Sequence, residues 1–160
     1  MNFKFKRGIS DIIGVDVAGS GVKVVRLKRN SDPTAPPILV GATMLPSALP
    51  SGEGGEVTPI TLPKNLAARQ VSIALTGKNA SVKLLSFMGK IETMEAQLAE
   101  MMGIDKASDA RISYRILVEG HGRTESKILA VAIPEADAQL ACRLFPAGFP
   151  APYSIEISGL

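Results

Sequence analysis

Tryptophan is absent from this chain, and aromatic residues supply only 4% of its 160 positions, so aliphatic side chains must fill the core. There is one cysteine, Cys142, and no disulfide can form within the chain. That fits a cytoplasmic location. There is one histidine, His121. Without a second histidine or cysteine no zinc site can be assembled. His121 also sits in a Gly-rich turn, where it is expected in solvent, so serine and cysteine nucleophiles lack a base. No stretch approaches the ~18 consecutive apolar residues of a membrane span. Lys4, Lys6 and Arg7 lead into Gly8-Ile9-Ser10-Asp11 and not into an apolar region, so no signal peptide is expected. The net charge of +3 is mild, and the basic N-terminal residues read as a solvated tail. A nucleic-acid partner is not expected.

What is present begins at Asp11. Asp11 to Val17 and Gly21 to Lys28 are apolar-rich strands around Ala18-Gly19-Ser20-Gly21. Asp16 precedes the turn and Lys23 follows it. Small residues there let the backbone reverse and turn N–H groups into one concavity, which favours phosphate oxygens. By spacing alone such a segment is most often a plain hairpin. No helix follows the turn, which excludes the P-loop and the dinucleotide fingerprint.

Beyond it, 29–37 is a Pro-rich turn and 38–44 a third strand, completing a meander. Residues 45–66 hold many Pro and Gly and read as a loop, with one helical turn at most near Asn65. Strands are expected at 71–75 and 81–88. A helix follows over 91–102, with Thr93 as N-cap, Met94, Leu98 and Met101 or Met102 as its apolar stripe, and Gly103 as C-terminal stop. Glu92, Glu95 and Glu100 read as its solvated face. Strands at 110–119 and 125–133 form a hairpin around Gly120-His121-Gly122. A helix at 135–145 and a strand at 153–158 complete the series. Cys142, within Ala141-Cys142-Arg143-Leu144, is expected as a buried thiol. Residues 81–158 thus read β-α-β-β-α-β, a split βαβ unit.

The segment Ile13-Gly14-Val15-Asp16-Val17, the small-residue turn and Val22-Lys23-Val24 resemble the first phosphate loop of actin-like ATPases. Within that superfamily the chain most resembles the PilM family of type IV pilus assembly, which is related to FtsA. Ala18 departs from the Gly or Ser common there. The resemblance implies an α/β (α+β) fold. A β-meander of an actin-like (ribonuclease H-like) core would occupy 1–80, and an inserted β-α-β-β-α-β subdomain 81–160.

The resemblance also implies a function. Asp16, Ala18, Gly19, Ser20, Gly21 and Lys23 would face the phosphates of ATP, with Asp16 at Mg2+. An actin-like ATPase would continue for another domain's length, so ATP and Mg2+ are expected to belong to a longer form. This chain alone is expected to bind ATP weakly and not to act as an enzyme. The family implies a cytoplasmic scaffold at the inner face of the membrane. It would hold the N-terminal tail of a PilN-type inner-membrane protein in a groove between the core meander and the inserted subdomain. Other pilus assembly proteins or further copies of the chain are additional expected partners. The competing readings are a GspL-like type II secretion protein and a kinase or chaperone fragment of the same superfamily.

Overall fold

The computed structural model describes residues 9–49, 56–88, 94, 97–120, 124–146 and 150–158. Contacts divide the chain into two compact units: Met1–Thr76 with Leu140–Leu160, and Gly77–Gln139.

The first unit holds a five-stranded sheet whose strands lie in the order β3 (Ile38–Leu45), β2 (Gly21–Lys28), β1 (Asp11–Ala18), β4 (Gln70–Thr76) and β8 (Ala151–Ser158), the last strand of the chain. β1 (Asp11–Ala18) and β2 (Gly21–Lys28) pair antiparallel from Asp11↔Lys28 to Ala18↔Gly21, leaving Gly19 and Ser20 as a two-residue turn. β3 (Ile38–Leu45) continues the meander. β4 (Gln70–Thr76) lies parallel to β1, and β8 (Ala151–Ser158) lies parallel to β4. Alternation decides which face is inside. Ile13, Val15 and Val17 meet Val22, Val24, Val71 and Ile73 in the core, with Leu66, Ala141, Leu144 and Phe145 packed on them. Each fully buried aliphatic side chain here contributes about 1.5–3 kcal/mol.

The expected loop after β3 holds no strand or α-helix among its described residues, only a tight turn at Lys64–Leu66. It still serves the core, because Ala48, Ile60 and Leu66 are buried. The Ile60 N–H donates to the Leu144 carbonyl at 2.6 Å. At one end of the sheet the Arg26 guanidinium binds both carboxylate oxygens of Asp11, which holds its pKa above the ordinary value.

The second unit is a three-stranded sheet of order β5-β7-β6: β5 (Ser81–Met88), β6 (Ala110–Val118) and β7 (Glu125–Pro134), all antiparallel. Helix α1 (Leu98–Met102) covers one face, with Met94, Leu98 and Met102 buried on Ile128, Ala130 and Ala132. The expected methionine stripe is therefore core. Gly103 ends the helix at φ 75°, as expected. Its N–H donates to the Glu100 carbonyl and that of Ile104 to Ala99, closing the orphan carbonyls of the last turn. Lys83 Nζ donates to the Met101 and Met102 carbonyls at 3.4 and 2.9 Å, placing a cation at the negative helix end. Thr93, Glu92, Glu95 and His121 lie outside the described residues, while Glu100 is exposed.

Two particulars differ from the sequence reading. The strand expected to close the second sheet, β8, instead pairs with β4 in the first. Register explains it: Ile155 and Ile157 match Ile73 and Leu75 of β4, and the chain returns to the first unit after β7. Cys142 is exposed. It lies on helix α2 (Glu135–Arg143), whose buried positions are Ala138 and Ala141. One residue past Ala141 is a step of ~100° round the helix, which turns the thiol outward.

Candidate functional site

β1 and β2 present Asp16 and Lys23 as directly opposed cross-strand neighbours. They point away from the core, because Val15, Val17, Val22 and Val24 on either side of them point inward. Lys23 Nζ stands 3.5 Å from Asp16 Oδ2, and the lysine side chain is 66% exposed. A pair this exposed contributes about 0–1 kcal/mol. Either partner is therefore easily recruited by a stronger counter-ion. The other Asp16 oxygen accepts a hydrogen bond from Ser158 Oγ at 3.2 Å.

Both side chains stand over an open trough of about 580 Å3 on the outer face of the sheet. Gly14, Val25, Ala42, Thr43, Ser72 and Ala74 are among the residues that line it. Gly14, Ala42 and Ala74 are small and leave room for it. Three outer-face polar groups cluster across β4 and β8. The Ser72 and Ser154 hydroxyls lie 2.7 Å apart and 3.1 and 3.0 Å from Glu156 Oε1, so their two protons serve two of these three contacts at a time.

The four turn residues play a different part. Ala18 and Gly21 are the last pair of the ladder. Gly19 and Ser20 are exposed at the tip, and none of the four lines the trough. Gly21 is buried with φ 147°, and a Cβ there would meet the Leu45 carbonyl oxygen at 2.9 Å. Only glycine suits that backbone. A Cβ on Gly19 would meet nothing within 4 Å.

The structure thus brings Asp16 and Lys23 together and sets Ala18, Gly19, Ser20 and Gly21 at the neighbouring tip. For a metal, Asp16 is the one carboxylate among the trough-lining residues. No group of three or more candidate metal ligands occurs among the described residues. Mg2+ that arrives with a nucleotide keeps several waters and takes only one or two carboxylates beside phosphate oxygens. A single Asp fits that need and does not fit a resident metal. Sequence reasoning missed Ser72, Ser154, Glu156 and Ser158. Alternation within β4 and β8 puts each set on one face, but their juxtaposition comes from a parallel pairing far apart in the chain.

No protein-family model matches the sequence, and no curated protein matches it. Solved structures do. One is a PilM-PilN type IV pilus biogenesis complex, matched at TM-score 0.72 with 16% identity over 91% of this chain and 47% of that one. Another is the cytoplasmic domain of EpsL, an inner membrane component of the type II secretion system of Vibrio cholerae. It matches at TM-score 0.52 with 11% identity, over 92% of this chain and 57% of that one. The chain therefore spans about half the length of the structures it matches. At such identities the likeness is one of fold. The expected class holds: a mixed α/β chain, mostly strand, in two sheets.

Proposed function

We propose that this chain is an assembly component of a type IV pilus or related secretion machine, acting in the cytoplasm at the inner face of the membrane. Its task in this reading is to hold the N-terminal tail of a PilN-type inner-membrane protein. The observation that carries the reading is the likeness to the PilM-PilN complex over 91% of the chain.

ATP and Mg2+ enter this reading through a longer form. There Lys23 and the turn residues 18–21 would meet the phosphates, and Asp16 would meet the Mg2+ they carry. In 1–160 the turn tip is exposed. A site open on one side lacks the enclosure that small-molecule pockets need, so tight ATP binding by this chain alone is not expected. In a longer form, Asp16→Ala and Lys23→Ala should each weaken ATP binding with the circular dichroism spectrum unchanged. Unaltered affinity in both would remove the nucleotide part of the proposal.

The test of tail binding is calorimetric titration of the chain with a synthetic N-terminal peptide of the PilN-type protein from the same cell. Saturable one-to-one binding, near micromolar (about −8 kcal/mol), is expected, with none for a scrambled peptide. Equal heats for both peptides would refute it. The EpsL likeness favours a second reading, a type II secretion platform, which predicts that the tail of that system's partner binds instead.

A further inference from the structure

The three-stranded sheet carries aliphatic side chains on both faces, and among the described residues the hydrophobic cluster with α1 forms on one of them. Opposite α1, Val82 and Leu84 of β5 stand beside Val131 and Leu129 of β7. Leu84 is 62% exposed and Val82 40%. Within the central strand the stretch Ile128-Leu129-Ala130-Val131-Ala132-Ile133 holds no polar residue. Such a continuous run is the pattern of a strand buried on both sides, whereas a strand with one wet face alternates.

Toward β6 the same face turns basic. Arg111, Ser113 and Arg115 stand opposite Ile133, Val131 and Leu129. Lys127 follows on β7, opposite Ser86. Arg111 is held by both oxygens of Glu135, at 2.8 and 2.9 Å. Arg115 and Lys127 are exposed and make no ion pair among the described residues. The acidic Glu125 lies two residues before Lys127 on the same face, opposite Met88.

We propose that this face docks an amphipathic helix of another protein, with an apolar stripe bordered by Asp and Glu. A sheet face offers side chains and no free backbone groups, and is closed by a further layer. A helix is taken as that layer because a helix, α1, already closes the other face of this sheet. The acidic border follows from Arg115, beside Leu129 on the neighbouring strand, and Lys127, at the end of the aliphatic strip. A second copy of the chain is a poor occupant, since it would bring two sets of those cations together as water is excluded.

The test uses the whole chain and designed helical peptides of about 16 residues, matching the ~26 Å length of an eight-residue strand. One carries a leucine stripe flanked by glutamates; its counterpart carries lysines. The glutamate peptide should bind about tenfold more tightly, shifting amide resonances of β5, β7 and β6. Arg115→Glu should reverse the preference. Leu84→Ser, at an exposed position, should weaken binding about tenfold with the fold retained. Equal binding of the two peptides, or binding of neither, overturns the proposal. So does binding only to phosphatidylglycerol vesicles, which would assign the face to a membrane. Self-association abolished by Leu84→Ser overturns it in favour of a second copy.

Discussion

Replacing Gly21 by alanine tests whether the hairpin that carries Asp16 and Lys23 is built as described. The residue is buried at φ 147°, where a side chain is strained, and the added Cβ would lie 2.9 Å from the Leu45 carbonyl oxygen. That oxygen belongs to the backbone of β3, so it cannot swing aside as a side chain could. A Gly-only conformation imposed on alanine costs on the order of 1–3 kcal/mol. With the backbone contact added, we expect the upper part of that range, about 2–3 kcal/mol, or about 5–10 °C in Tm. Gly19→Ala is the internal control: its Cβ meets nothing within 4 Å, and a change within about 0.5 kcal/mol is expected. Urea denaturation gives the magnitude, and hydrogen exchange gives the place. Protection should fall in β1, β2 and β3 and stay unchanged in β5, β6 and β7. Two variants of equal stability, or a loss confined to the second unit, would refute the reasoning.

Other expectations follow from single contacts. Ser126 is fully buried and its Oγ accepts the Gly120 N–H at 3.0 Å, so Ser126→Ala should cost about 1–2 kcal/mol in urea. Lys83→Met removes the cation from the C-terminus of α1, and exchange protection of that helix should fall by about 0.5–1 kcal/mol. The Arg111 hydrogen bonds hold the Glu135 carboxyl below its ordinary pKa. A carboxylate whose folded pKa is lowered stabilises the fold above its unfolded pKa, and loses that contribution as pH falls through the folded one. Carbon-detected NMR titration should therefore show Glu135 protonating late on acidification, and Arg111→Met should return it toward the ordinary value.

Local elements were legible because local chemistry makes them. The hairpin around Gly19-Ser20, the Gly103 stop and the methionine stripe each rest on spacings of a few residues. Strand limits fell within one or two positions: 71–75 became Gln70–Thr76, and 153–158 became Ala151–Ser158. Partnership was not legible. Alternation in 153–158 marks a strand equally well for either sheet, and only the parallel register of Ile155 and Ile157 on Ile73 and Leu75 decides. The Ser72, Ser154 and Glu156 cluster was hidden for the same reason. Cys142 was misplaced because a short Ala-rich helix has weak apolar contrast, so its buried side could be set one residue off. The pair Asp16 and Lys23 was legible, since a two-residue turn places equidistant residues directly opposite.

The proposal that the chain serves a membrane-bound pilus or secretion assembly is tested most directly by cross-linking in the source cells. The protein, tagged at its native level, should be captured with an inner-membrane protein of such a machine, linked through that protein's cytoplasmic N-terminal tail. Cells lacking the chain should lose pili or secretion. Recovery of soluble metabolic proteins alone, with pili and secretion intact in the deletion strain, would contradict the account.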